Sequence, residues 1–165
     1  MMRNRKLAIV VTMLVVGCGG GGESAKTKKE TVPAADVART AGGEAITTAD
    51  GSAVSKRAHN RWGSALDNFD RNEETGWTSA QCGASSREFE KAAAAQGGGF
   101  AEAHYMAGLA LERCGDSGAK KHYETALKVD PKFCKARVAL ALEDLEGGKA
   151  SQAKSEFERA IKDDP

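Results

Sequence analysis

Pro131 and Pro165 lie thirty-four residues apart, and the segments leading up to them match position by position. Ala119, Tyr123, Ala126 and Leu127 fall on Ala153, Phe157, Ala160 and Ile161 at that same offset. A fixed period of this length marks a helical repeat array, in which each unit buries its apolar face only against its neighbours. Such arrays are binding modules and scaffolds, and the period itself names no partner.

The array cannot use the whole chain. Met1 to Lys6 carries Arg3, Arg5 and Lys6, and Leu7 to Val16 is apolar apart from Thr12. A cationic start followed by so short an apolar run reads as a signal peptide over 1–17, because a spanning helix needs roughly 20 apolar residues. Val15-Val16-Gly17-Cys18 resembles the bacterial lipoprotein signal, a small residue before a Cys that closes the apolar run. The resemblance implies cleavage before Cys18, lipidation (palmitate or a similar acyl chain) of that residue, and stable anchoring through more than one chain. Gly19 in place of Asp implies the periplasmic face of the outer membrane, with a Gram-positive surface as the alternative. Without 1–17 the 24 Lys and Arg lose Arg3, Arg5 and Lys6, leaving 21 against 23 Asp and Glu. That balance disfavours nucleic acid and a broad electrostatic grip on membranes.

Residues 18–51 hold the lipidated Cys and a stretch rich in Gly, Ala, Thr, Lys and Glu with no aromatic side chain. This composition predicts a flexible linker, which would reach roughly 30 Å as a random coil.

Helical patterning begins near Ser52. Val54, Ala58, Trp62, Ala65, Leu66 and Phe69 form one stripe. Asn68 to Gly76 is polar and reads as a loop. Thr78-Ser79-Ala80-Gln81 fits a capping box, with Trp77 and Cys82 placed as a hydrophobic staple, and opens a helix that stops near Gly97. Further helices are predicted over about Ala101–Cys114, Gly118–Val129, Lys132–Glu146 and Ala150–Asp163. Glycines or the Pro131 break separate them. No useful stretch alternates with period two, so no sheet is expected.

Over about Phe100 to Pro165 these residues resemble the tetratricopeptide repeat. One copy offers His104, Ala107-Gly108, Leu111, Ala119, Tyr123, Ala126 and Pro131. The next offers Arg137, Leu140-Ala141, Asp144, Ala153, Phe157, Ala160 and Pro165. Leu111 and Asp144 stand where the family has an aromatic. Trp62, Phe89 and Ala92 fit a looser earlier copy. The resemblance implies an all-α fold: antiparallel helix pairs stacked as a short right-handed solenoid over 52–165, with units of about 52–99, 100–133 and 134–165.

The family binds partners on the concave face lined by each unit's first helix. Carried onto this chain, that face is Glu102, Tyr105, Leu109, Glu112 and Arg113, then Lys135, Val138, Leu142, Leu145 and Glu146. Tyr105, Leu109, Val138 and Leu142 replace the polar residues that clamp a C-terminal carboxylate. The face therefore suits an apolar or helical protein segment, or else these side chains pack on neighbouring helices.

No metal-ligand spacing joins His59, His104 and His122, and no phosphate loop or nucleophile motif is present. We expect no enzyme, no cofactor and no metal. Similar lipoproteins serve as pilotins, outer-membrane assembly factors and motility components. The resemblance thus implies an envelope scaffold, with an accessory or substrate-binding lipoprotein of a periplasmic enzyme system as the alternative.

An oxidising periplasm and antiparallel adjacent helices predict a Cys82–Cys114 disulfide with Cys134 unpaired, inert thiols being the other possibility. The sequence stops at the proline that closes a repeat, so Phe157 and Ile161 are expected to be exposed. The array would then either continue beyond Pro165, or be covered there by a partner or by self-association.

Overall fold

The computed structural model describes residues 31–163. The readings on 1–17 and on Cys18 lie outside them. Six helices follow a short N-terminal strap: α1 Lys56–Thr75, α2 Ser79–Ala95, α3 Ala101–Glu112, α4 Ala119–Val129, α5 Cys134–Glu146 and α6 Ala150–Asp163. They form three consecutive helix pairs, and each helix packs on the one before it along the chain. Among the described residues no helix is long and apolar enough to cross a membrane.

Side-chain caps start the first two helices. The Ser55 hydroxyl caps α1 by accepting from the Ala58 N–H at 3.1 Å. At α2 the capping box is complete: the Thr78 hydroxyl accepts from the Gln81 N–H, and the Gln81 carboxamide oxygen accepts from the Thr78 N–H at 2.8 Å. Such caps satisfy backbone donors that the helix itself cannot.

The polar stretch Asn68 to Gly76 is not a loop. It is the last part of α1, which ends only at Gly76 with φ 95°. Asp70, Arg71, Glu73 and Glu74 are exposed, so their polarity reflects a solvated helix face. Phe69 carries the apolar stripe inward, and Arg71 donates to Asn68 Oδ1 at 3.0 Å.

The cores are built from alanine with a few aromatic wedges. Ala103, Ala107, Ala110, Ala126, Ala136 and Ala141 are fully buried. Phe89 and Tyr123 fill the spaces between pairs. Trp62 touches Phe89 edge-on at 5.4 Å between centroids and lies 5.0 Å from Phe100. Small residues let helices approach closely, and each ring buries a large apolar area.

The linker expectation for 18–51 is corrected over its described part. Residues 37–55 fold back on themselves through antiparallel bridges Val37–Ser55, Arg39–Ala45 and Thr47–Ala53. These are isolated bridges, and no strand is assigned among the described residues. Gly43 (φ 84°) and Gly51 (φ 81°) make the two reversals in a backbone region open chiefly to glycine. Val37, Ala38, Thr48 and Val54 are buried, and Val54 joins Ala58, Ala92, Ala93, Phe100 and Ala103 in one cluster. Polar ties complete the attachment. The Gln96 carboxamide accepts from the Ser55 N–H at 2.9 Å and donates to the Ala53 carbonyl at 2.7 Å, in the manner of another backbone segment. Lys56 Nζ donates to the Ala35 carbonyl at 2.7 Å.

Candidate partner-binding face

The first helices of the three pairs are α1, α3 and α5. The ten residues read as a partner face divide sharply between α3 and α5.

All five on or just after α3 have partners within the fold, with Glu112 and Arg113 remaining exposed. Tyr105 lies between Tyr123, tilted against it, and Phe133, edge-on to it, each at 5.7 Å between centroids. Burial raises its pKa, and the Glu112 carboxylate adds to that. Glu112 itself accepts a hydrogen bond from the Tyr123 hydroxyl. Burial, and then that bond, push the Tyr123 pKa far up, so the phenol stays protonated. Leu109 packs on the cluster of Ala65, Phe69, Phe89, Ala107 and Ala110. Arg113 reaches back to α1, where Nε donates to Glu73 Oε1 at 2.6 Å and the guanidinium lies 5.9 Å from the Phe69 ring centroid. Glu102 accepts from the Ala49 N–H of the strap at 2.5 Å, and its other carboxylate oxygen is buried without a partner. Burial raises the Glu102 pKa against the pull of that backbone bond, with Asp50 and Asp130 adding to the rise.

The α5 half is open. Lys135 and Glu146 are exposed and Val138 is half-buried. Leu142 and Leu145 are each 49% exposed and lie three positions apart on one side of α5. The apolar surface free to meet a partner is therefore Val138, Leu142 and Leu145, flanked by one cation and one anion. Packing on neighbouring parts of the fold, the alternative reading of these positions, accounts for α3 and not for α5.

Two departures from the repeat pattern have a physical reason. Arg137, at a bulky-residue position, donates to Glu156 Oε2 at 3.0 Å, lies 3.2 Å from Asp163 Oδ2 and also donates to the Pro131 carbonyl. Asp144, at an aromatic position, sits between Lys149 at 3.3 Å and Lys120 at 3.5 Å. The last pair thus replaces part of its apolar packing with ion pairs. Sequence reasoning had no signal for those partners, since they lie up to 26 residues away.

Cys82 and Cys114 are joined in a disulfide with a Cα–Cα distance of 6.3 Å. It ties the start of α2 to the turn after α3, and Cys134 is free and half-buried. His104 Nε2 lies 3.2 Å from the Gly98 carbonyl, and His122 Nε2 lies 3.5 Å from Glu90 Oε1. Each is held below the ordinary imidazole pKa by burial. Among the described residues no group of three His, Cys, Asp or Glu side chains could hold a metal ion.

The architecture is that of an all-α, tetratricopeptide-like helix-pair solenoid. Among solved structures the chain is similar to the crystal structure of MamA, with a TM-score of 0.53 and 22% identity over 64% of this chain. The match spans 57% of the MamA chain, a little over half its length. No protein-family model and no curated protein matches the sequence.

Proposed function

We propose that the chain is a lipid-anchored scaffold or adaptor that binds a protein partner in a bacterial envelope complex of the pilotin, outer-membrane assembly or motility type. It performs no catalysis of its own. Cys18 carries the anchor, and the helical domain works on the periplasmic face of the outer membrane. The observation that carries the partner-binding reading is the open Val138–Leu142–Leu145 face in a fold whose equivalent α3 residues are all engaged. An apolar stripe between Lys135 and Glu146 fits a helical or extended segment with apolar anchors. The lipoprotein-like run ending at Cys18, and a disulfide suited to an oxidising compartment, support the envelope setting.

The test is affinity capture from cross-linked envelopes. Wild-type chain should enrich a defined protein partner, and a Leu142→Asp/Leu145→Asp variant of unchanged circular dichroism should lose it. Equal recovery by both would place the interaction elsewhere. Metabolic labelling with a fatty acid, lost in Cys18→Ser, tests the anchor separately.

A further inference from the structure

The strap and the start of α1 border an open cavity of about 480 Å³, within the size range of small-ligand sites. Its polar wall is Arg39 from the strap with Lys56, His59 and Asn60 from α1. Val37 and neighbouring alanines of the strap form the apolar wall. Lys56 stands three and four positions before His59 and Asn60, so the three share one side of the helix. Both cations are held by backbone carbonyls. Arg39 Nη1 donates to Gly43 at 2.8 Å, and Lys56 Nζ donates to Ala35 at 2.7 Å. An ammonium has three donors and a guanidinium five, so most remain to be used. Neither cation forms an ion pair with a described residue, and among the described residues no carboxylate lines the cavity. His59 Nδ1 is buried without a hydrogen-bond partner. Buried polar atoms are normally paired with protein, water or ligand.

We propose that this cavity binds a phosphate group esterified to a small alcohol, either as a free phosphate ester or as the headgroup of an anionic phospholipid. A cleft lined by one sign of charge concentrates counter-ions. Donors that come from two walls suit a tetrahedral oxyanion better than a planar carboxylate. The Arg39 fork takes two oxygens, Lys56 acts on the group as a point charge, and the Asn60 carboxamide offers a further N–H. The short side chains of the apolar wall leave room for the carbons of the ester. Arg57 and Arg61 are exposed on the same part of α1 and add to the positive field. Asp36 is exposed in the strap and does not line the cavity. The near-neutral balance of the whole chain does not bear on so local an arrangement. The site lies on the first helix pair, away from the Leu142–Leu145 face, and does not depend on what that face takes.

The full chain in a neutral detergent is titrated at low ionic strength with inorganic phosphate, with glycerol phosphate and with short-chain phosphatidylglycerol, and backbone amide NMR shifts are followed. Saturable shifts confined to the strap and the first turns of α1 are expected. Saturation by glycerol phosphate assigns the site to free phosphate esters. Saturation by phosphatidylglycerol alone assigns it to a lipid headgroup, and either result supports the shared chemistry. Asn60→Asp is the main variant, because the Asn60 side chain ties nothing in the strap and the change puts a carboxylate on the cavity wall. It should weaken binding about tenfold or more, with the remaining amide shifts unmoved. Arg39→Gln should weaken binding in the same direction. Binding that Asn60→Asp leaves unchanged would overturn the proposal. So would the absence of saturable shifts with all three probes. Equal shifts with acetate, or with sodium chloride at matched ionic strength, would reduce the effect to charge screening and overturn it as well.

Discussion

A Cβ placed on Gly108 would stand 2.6 Å from Cε1 of Tyr123, far inside contact distance, and 3.0 Å from the Ala119 carbonyl oxygen. The closeness of α3 and α4 therefore depends on a missing methyl group. Tyr123 cannot swing away, because its ring is buried and its hydroxyl is held by Glu112. Gly108→Ala gains about 1 kcal/mol of helix propensity and loses more through overpacking, typically 1–3 kcal/mol and occasionally beyond. A net destabilisation is expected, read as a lower urea midpoint. A stabilised variant would mean that the helices are further apart than described. Gly63, on α1 with open space around its Cβ, is the control, and Gly63→Ala should stabilise by up to about 1 kcal/mol.

The Cys82–Cys114 bridge closes a loop with a sequence separation of 32. On the chain-entropy account a loop of that size contributes roughly 3–4 kcal/mol. Reduction, or the double change to serine, should lower the thermal midpoint by roughly 10 °C or more while helicity at low temperature persists. Cys134→Ser should leave the midpoint within a degree or so. If reduction does not move the midpoint, the loop is already ordered without its staple.

The helix pairs were legible in the sequence because their signals are local. The Thr78–Gln81 capping box and the glycine stops each operate within a few positions, and the thirty-four-residue offset repeats such a local pattern further along the chain. The disulfide was legible once the pairs were set antiparallel. The strap was not, although Gly42-Gly43 and Asp50-Gly51 are hairpin-turn signals. Its segments are too short for alternation to register, and their stability comes from Gln96, Glu102 and the Val54 cluster, distant in sequence. The polar end of α1 was misread for a related reason: a solvated helix face and a loop share a composition. On the partner face the family pattern alone could not separate α3 from α5. That separation comes from Glu73, Phe69 and Ala49, which meet Arg113, Leu109 and Glu102 from outside the repeat.

Acid should weaken the domain in the range where histidine titrates. His104 and His122 are held below the usual imidazole value near 6.5 by burial, so the folded state binds fewer protons than the unfolded chain as pH falls past that value. Their contribution is fully present above about pH 6.5 and is lost below it. Glu102 and Glu143 act oppositely: burial raises their pKa values, so each costs stability when ionised and relieves that cost when protonated at lower pH. His104→Phe should therefore flatten the stability profile between pH 7 and pH 5.5. An unchanged slope in denaturant titrations of that variant across that range would show that the His104 imidazole is not sequestered.

The strap gives the clearest departure from a free linker. A chain beginning at Ser52 loses the buried Val37, Ala38 and Thr48, the bridges to Ser55 and Ala53, and the Ala49 N–H that Glu102 accepts from. Burial of Val37 alone is worth roughly 1.5–3 kcal/mol. Truncation at Ser52 should thus lower stability by about 2 kcal/mol or more and expose the cluster around Val54 and Phe100. Glu102→Gln keeps the acceptor for Ala49 and removes a buried charge, so at neutral pH it should be neutral or mildly stabilising. If truncation at Ser52 leaves the urea midpoint unmoved, residues 37–51 contribute nothing to the fold and are a tether after all.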